Sequence, residues 1–142
     1  MEPSECRFCK IVNDKKRVFR ETKNTVTFLS NPSLVKGHAL VVPKKHYENI
    51  SDIPQKIRHE LIDEASAVQR LLVTKLKYPG CDISQHNTPF VPENRLKVHH
   101  IHFHVIPRCL DDDIYRKVNI HKQKVFRELN EKELKNTEKL LS

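Results

Sequence analysis

The chain contains the stretch His100-Ile101-His102-Phe103-His104-Val105-Ile106-Pro107, in which histidines alternate with apolar residues. In an extended strand successive side chains point to opposite faces, so residues two apart share a face. The pattern predicts a strand over residues 97–106, with its imidazoles in one row and its apolar side chains in a core. Buried imidazoles need hydrogen-bond partners, and crowded imidazoles disfavour one another's protonation. Ordinary packing does not require such a row, so we interpret it as a functional site.

Aligned imidazoles support two kinds of chemistry. A His-x-His pair on a strand can supply two ligands to one metal ion, with a third from elsewhere. Alternatively, the middle imidazole attacks a phosphorus atom while its neighbours stabilise the charge on the phosphoryl oxygens. His38 precedes an apolar segment, residues 39–43, and joins the row if the two strands are close. The alternation does not by itself separate a catalytic metal from covalent catalysis.

Composition narrows the class of protein. At 142 residues the chain is most simply one domain, long enough to bury a core without disulfides. Its formal net charge of +8 favours anionic partners such as nucleotides, polyphosphates or nucleic acid. The only glycines are Gly37 and Gly80, which excludes a glycine-rich phosphate loop. Because we find neither a long apolar run nor a secretion leader, we expect no membrane span and a cytoplasmic location.

Hydrophobic periodicity predicts the remaining elements. Strands are expected over residues 18–20, 25–29, 38–43 and 83–87, the third of them near the middle of a sheet because it is almost continuously apolar. A long amphipathic helix is expected over residues 52–77. Its buried face would carry Ile57, Leu61, Ala65, Val68 and Leu72. A last helix is expected over residues 125–141, packed on the domain or on a partner.

Together these segments resemble the histidine triad family. The run from His100 to Ile106 is similar to the family's triad motif, and the segment from Gly37 to His46 is similar to its second signature. The likeness extends to Cys6-Arg7-Phe8-Cys9 and to the long helix. It spans most of residues 5–108, which we take as the domain core, with residues 109–142 as a C-terminal extension. The resemblance implies a compact α+β fold with a mainly antiparallel sheet, and usually a homodimer.

The resemblance also implies chemistry at the α-phosphorus of a purine nucleotide. By position, His102 would be the nucleophile that forms a transient nucleotidyl-histidine, flanked by His104 and His38. An amine, a phosphate or a second nucleotide would leave, and water would then release the nucleoside monophosphate. Neutral imidazole is a good nucleophile near pH 7, and two steps avoid direct attack by water. A backbone carbonyl that accepts from the other ring nitrogen would fix the tautomer of the nucleophile.

The pair Cys6-x-x-Cys9 is compatible with two unrelated thiols. Within the resemblance, Cys6, Cys9, His46 and His100 match the zinc-binding arrangement of one branch of the family. Two thiolates and two imidazoles form a closed tetrahedral site, which is structural rather than catalytic. Zinc would tie the amino-terminal segment to the catalytic strand, and His100 would hold His102 in register. We expect the remaining cysteines to be ordinary thiols.

The chain departs from the family pattern just before the triad. Where members carry a glycine-rich Gly-Gln-Ser/Thr segment, this chain has Asn94-Arg95-Leu96-Lys97-Val98. We hypothesise that Arg95 and Lys97 favour a leaving group that bears phosphates; the alternative is that both point to water. The other expected substrate contacts are Ser30 and Asn31 near the ribose, and the amides of Gln85 and Asn87.

Three other functions stay open at this stage. The chain could be a nucleotide-binding regulatory module whose chemistry is incidental. It could remove adenylate from a DNA 5′ phosphate, although net charge is weak evidence for nucleic-acid binding and we do not favour it. It could also hold a catalytic metal in the triad itself.

Overall fold

One antiparallel sheet organises the described part of the chain. The computed structural model describes residues 5–114 and 127–142. The strands are β1 (Val18–Glu21), β2 (Thr25–Leu29), β3 (Ala39–Pro43), β4 (Gly80–Ser84) and β5 (Phe103–Arg108). They lie in the order β1-β2-β3-β5-β4, and each neighbouring pair is antiparallel. The helices within these residues are α1 (Arg7–Asp14), α2 (Gln55–Lys75) and α3 (Glu131–Leu141). The predicted α+β class with an antiparallel sheet is confirmed.

The central strand β3 is buried along its whole length, as its continuous apolar sequence predicts. Ala39 and Val41 pack on one face of the sheet, against Ile101, Phe103, Val105 and the buried side of α2. Leu40 and Val42 point to the other face, where they join Phe8 of α1 and Phe28 of β2. The sheet therefore separates a layer formed by α2 from a second layer that contains α1.

The strand that carries the histidines is shorter than predicted at its amino-terminal end. It begins at Phe103, not at residue 97, and continues to Arg108. Pairing with β3 stops at Val41↔Phe103. Beyond that point the carbonyl of Pro43 lies 2.9 Å from the Nε2 of His100, and the N–H of Ile101 donates to the carbonyl of Tyr47 at 2.7 Å. These two contacts replace the ladder, so residues 97–102 leave the regular strand.

The edge strand β4 also has different bounds from those predicted. It covers Gly80–Ser84 instead of residues 83–87. The reason is its partner, because β5 runs on to Arg108 and pairs there with Gly80. Gln85 and Asn87 consequently lie in the loop that follows the strand.

The long helix is confirmed with slightly tighter limits. Leu61, Ala65, Val68 and Leu72 are buried as predicted, while Ile57 is only partly buried. The helix begins after Pro54 and ends at Lys75, since Lys77 has a positive φ of 58° that is incompatible with a helix. None of the described helices has an apolar stretch of the length needed to cross a membrane.

The last helix begins later than predicted. Residues 127–130 are not helical, residues 125–126 lie outside the described residues, and α3 starts at Glu131. The start is set by a capping box in which the Asn130 side chain accepts from the N–H of Glu133 and the Glu133 carboxylate accepts from the N–H of Asn130. All residues of α3 are at least partly exposed. The helix is therefore not packed into the core of the described residues.

Candidate active site and metal cluster

The pairing of β3 with β5 brings a fourth histidine to the predicted row. His38 immediately precedes β3, and Leu40 of that strand pairs with His104. The Nε2 atom of His38 lies 2.9 Å from the Nδ1 atom of His104. The rings of His102 and His104 are 4.8 Å apart between centroids. The structure thus brings together His38, His102 and His104, as the sequence predicted.

Hydrogen bonds define the protonation of His38 and His104. The backbone N–H of Leu34 donates to the Nδ1 of His38 at 3.2 Å, so that nitrogen is an acceptor and the proton of a neutral His38 sits on Nε2. The Nε2–H then donates to the Nδ1 of His104. A neutral His104 consequently carries its own proton on Nε2. The chain of bonds leaves one N–H donor of His104 available to a ligand.

The nucleophile candidate has the opposite arrangement. The Nδ1 of His102 lies 2.7 Å from the carbonyl oxygen of His100, and a carbonyl can only accept. The proton of a neutral His102 is therefore on Nδ1, which leaves a lone pair on Nε2. The ring of Phe8 packs edge-on against His102 with centroids 5.1 Å apart and helps to orient it. This is the carbonyl contact that the sequence analysis expected.

Burial keeps these imidazoles neutral. It lowers the pKa of His38 to about 4 and the pKa of His104 to about 3, and it also lowers the pKa of His102. The positive charge of Lys97 acts in the same direction on the pKa of His102 and of His104. Near neutral pH the site therefore presents an imidazole lone pair on His102 beside an N–H donor on His104.

His102 lines two cavities. The first, of about 110 Å³, we call the aromatic pocket; its apolar wall is formed by Phe8, Ile11, Phe28, Leu40 and Val98. The second, of about 270 Å³, we call the polar pocket; its polar side chains include Glu48, Asn49, Gln85, His86, Asn87 and Lys97. Because His102 lines both, a group that reacts there can extend into each of them.

The structure distributes the predicted substrate contacts between the two cavities. Ser30, Asn31 and Arg95 line the aromatic pocket. Gln85, Asn87 and Lys97 line the polar pocket. Arg95 and Lys97, which the sequence hypothesis grouped together, therefore line different cavities.

Hydrogen bonds from Arg7 hold the loop that carries Arg95. The guanidinium of Arg7 donates to the carbonyls of Asn94 and Arg95, at 2.6 and 2.9 Å, and holds this loop against α1.

The hydroxyl of Ser30 donates to the carbonyl of Pro32 at 2.8 Å, and the amide nitrogen of Gln85 donates to the carbonyl of His86 at 2.7 Å. Part of the hydrogen-bonding capacity of Ser30 and Gln85 is thus used within the protein.

His86 is a site residue that the sequence analysis missed. Its ring lies 5.1 Å from the ring of His104, between centroids, and it lines the polar pocket. The available signal was its place in the sequence between Gln85 and Asn87, both expected to contact the nucleotide. Its proximity to the triad depends on the β4–β5 pairing, which sequence patterns did not place correctly.

The remaining histidine of the predicted row, His100, belongs to a separate cluster. His100 is 1% exposed and groups with Cys6, Cys9 and His46, whose potential ligand atoms all lie within 4.8 Å of one another. The Nδ1 of His100 is 3.5 Å from the sulfur of Cys6 and 3.5 Å from that of Cys9, and the Nδ1 of His46 is 3.5 Å from the sulfur of Cys9. These four residues could hold a metal ion.

The donor set fits zinc. Zinc–sulfur bonds of about 2.3 Å and zinc–nitrogen bonds of about 2.0–2.1 Å at tetrahedral angles place sulfur and nitrogen roughly 3.5 Å apart, as seen here. The Nε2 of His100 is 2.9 Å from the carbonyl of Pro43, which leaves its Nδ1 free to ligate. Without a metal, burial and the neighbouring Cys6 raise the pKa of Cys9 to about 11, so metal binding must displace a proton. Cys81 and Cys109 are free thiols outside this cluster.

Comparison with known proteins identifies the family. The HIT domain model matches residues 12–111, so the chain belongs to the HIT family, and the resemblance to histidine triad proteins is confirmed. An uncharacterised HIT-like protein of Methanocaldococcus jannaschii is 36% identical over 111 residues, covering 75% of this chain and 81% of the relative. An adenosine 5′-monophosphoramidase of Schizosaccharomyces pombe is 35% identical over 109 residues, covering 72% of this chain and 74% of the relative.

A solved structure gives the corresponding comparison of folds. The crystal structure of a zinc-bound histidine triad family protein from Mycobacterium smegmatis superposes with a TM-score of 0.67 at 25% identity. The alignment covers 94% of this chain and 88% of that protein. The fold of this chain is therefore that of a HIT domain.

Proposed function

We propose that this protein is a hydrolase or nucleotidyl transferase that acts at the α-phosphate of a nucleoside phosphoramidate or dinucleoside polyphosphate through a nucleotidyl-His102 intermediate. The observation that carries the proposal is the pair of opposed tautomers, with a lone pair on the Nε2 of His102 next to an N–H donor on His104. The relative named adenosine 5′-monophosphoramidase supports the same class of chemistry.

In the first step the Nε2 of His102 attacks the α-phosphorus. A nitrogen–phosphorus bond forms, and the bond to the leaving group breaks with its electron pair on the leaving group, which takes a proton from the solvent when it is an amine. Water then attacks the same phosphorus, which releases the nucleoside monophosphate and regenerates His102. Dividing the displacement in two replaces a poor nucleophile, water, by imidazole in the harder step.

His104 and His38 act on the charge of the phosphate. The Nε2–H of His104 is placed to donate to a non-bridging oxygen, where charge grows in the transition state. His38 orients that donor through its bond to the Nδ1 of His104. Cys6, Cys9, His46 and His100 would hold a zinc ion whose contribution is structural. His100 would then position the nucleophile through its backbone carbonyl.

The aromatic pocket suits the nucleoside. Phe8 and Phe28 provide apolar walls for a purine base, and Ser30 and Asn31 lie beside them for the ribose. The proposal includes a homodimer, which sedimentation would check. It also includes the cytoplasm as compartment, since thiolate ligands persist under reducing conditions.

The decisive experiment measures AMP release from adenosine 5′-phosphoramidate and from diadenosine polyphosphates. His102→Ala should reduce release at least about 1,000-fold with both substrates, because it removes the imidazole that forms the proposed intermediate. His59→Ala, which removes an exposed histidine of α2, serves as the matched control and should leave the rate unchanged. Mass spectrometry after rapid quenching should find one nucleotidyl group on wild type and none on His102→Ala.

A folded, zinc-loaded wild type that releases AMP from neither substrate would contradict the proposal. That result would favour the regulatory binding module or DNA 5′-adenylate removal. Release that persists in His102→Ala would exclude the covalent route.

A further inference from the structure

We propose that His86 and Lys97 form a subsite for an anionic leaving group, and that they set the substrate preference of this enzyme. The inference rests on the proposed function, since it concerns the part of the substrate displaced by His102. It names the chemical class of that part: a group that carries a carboxylate or phosphate near the scissile bond. Neither residue belongs to the histidine row or to the metal cluster.

The geometry places both residues on one side of the reacting centre. His86 and Lys97 line the polar pocket together with His102. The ring of His86 is 5.1 Å from that of His104. The opposite cavity already has the apolar walls that a base requires, so a substrate whose phosphorus sits at His102 directs its other substituent into the polar pocket.

The charge of Lys97 is not neutralised by the protein. Within the described residues its ammonium takes part in no ion pair, although the side chain is only partly exposed. The imidazole of His86 likewise makes no hydrogen bond to a described residue. The partly exposed Lys97 and the exposed His86 line the same cavity, and an ammonium and an unused N–H donor in one cavity form an electrostatic site for an anion.

One acidic side chain, Glu48, also lines this pocket. Within the described residues it forms no ion pair with Lys97. The ammonium of Lys97 is therefore available to an anion that enters this pocket.

The test uses two adenosine phosphoramidates of equal length, one of β-alanine and one of β-alaninamide. They differ by one negative charge at the end of the leaving group. We expect Lys97→Met to lower the ratio of kcat/KM, carboxylate over amide, about tenfold, since a hydrogen bond to a charged group contributes about that factor. His86→Asn should lower the same ratio, and Lys97→Arg should retain it.

Two basic residues provide matched controls. Arg95 lies in the same loop but on the nucleoside side, so Arg95→Met should alter both substrates by the same factor. Lys56→Met removes an exposed charge at the start of α2 and should change neither rate. Rising ionic strength should reduce the ratio in wild type but not in Lys97→Met, because salt screens the charge that the variant lacks.

The outcomes separate the two proposals. If wild type cleaves both substrates and the ratio is the same in Lys97→Met, His86→Asn and wild type, the subsite is wrong while the proposed function stands. If wild type cleaves neither substrate, the proposed function fails and the subsite fails with it. A ratio that falls equally in Lys97→Arg and Lys97→Met would show a structural role for Lys97 and would also overturn the subsite.

Discussion

At the scale of single residues, the chemistry depends on which ring nitrogen of each histidine carries the proton. A backbone N–H at Leu34, acting through His38, and a backbone carbonyl at His100 assign opposite tautomers to His104 and His102, whose rings are 4.8 Å apart between centroids. Backbone groups hold their positions because the strand and its loops are packed. In flexible loops the same imidazoles would exchange tautomers. The site would then lose its fixed arrangement of a lone pair on His102 beside an N–H donor on His104.

This arrangement predicts a pH dependence of stability. Burial lowers the pKa of His38 from about 6.5 in the unfolded chain to about 4, so the unfolded state binds more protons between these values. Stability should fall as the pH drops from 6.5 to 4, by about 1.4 kcal/mol per pH unit for this histidine. The variant His38→Gln cannot titrate at this position. The unfolding free energy of wild type minus that of the variant should therefore decrease by that amount for each pH unit of acidification. Chemical denaturation at a series of pH values measures it; parallel curves would contradict the prediction.

At the scale of elements, the entry into β3 positions His38. Gly37 directly precedes it and has a φ of +89°, a conformation that L residues with a side chain rarely adopt. An added Cβ there would also lie 2.6 Å from the Cδ1 of Leu76 and 3.2 Å from the Cγ of Pro107. The turn, the end of α2 and β5 are thus packed together next to His38.

Gly37→Ala should therefore destabilise the protein by about 1–3 kcal/mol. Leu76 can move its terminal methyl group, but the backbone strain remains. Gly80→Ala is the matched control, because a Cβ at that position meets nothing within 4 Å and its φ is not positive. The control should stay within about 0.5 kcal/mol of wild type. Urea unfolding compares the two, and equal losses would refute the explanation.

At the scale of the whole molecule, the metal cluster joins segments that are distant in sequence. Cys6 and Cys9 come from the start of the chain, His46 follows β3, and His100 precedes β5. Only Ile101 separates the cluster residue His100 from His102 in the sequence, and the side chain of Ile101 packs in the core under α2. A metal there would stabilise the packing of α1 against the sheet as well as the position of His102.

We therefore expect one zinc ion per chain, and a fall in Tm of at least about 5 °C when it is removed. A strong chelator, or Cys9→Ser, should produce this loss, measured by elemental analysis and thermal unfolding. Cys109→Ser changes a thiol outside the cluster and should keep both the metal and the Tm. Purified wild type without bound zinc after growth with zinc, or an unchanged Tm after chelation, would contradict the assignment.

The family resemblance implied the α+β class, and local pattern in the sequence predicted the buried central strand, the inner face of α2 and the row of histidines at residues 100–104. Those features depend on the alternation and periodicity of side chains, which short segments carry by themselves. The same patterns placed β4 and the start of β5 incorrectly. Strand limits depend on the partner strand, and here on the carbonyl of Pro43, which contacts an imidazole instead of extending the ladder.

The resemblance assigned His100 to a metal site and His102 to catalysis, but no local pattern separates two residues of one alternating motif. In the tertiary structure His100 faces two cysteines, whereas His102 lines two cavities. The separation of Arg95 from Lys97 and the approach of His86 to His104 also have no local cause. They follow from hydrogen bonds and strand pairing between residues far apart in sequence, which no pattern within a single segment specifies.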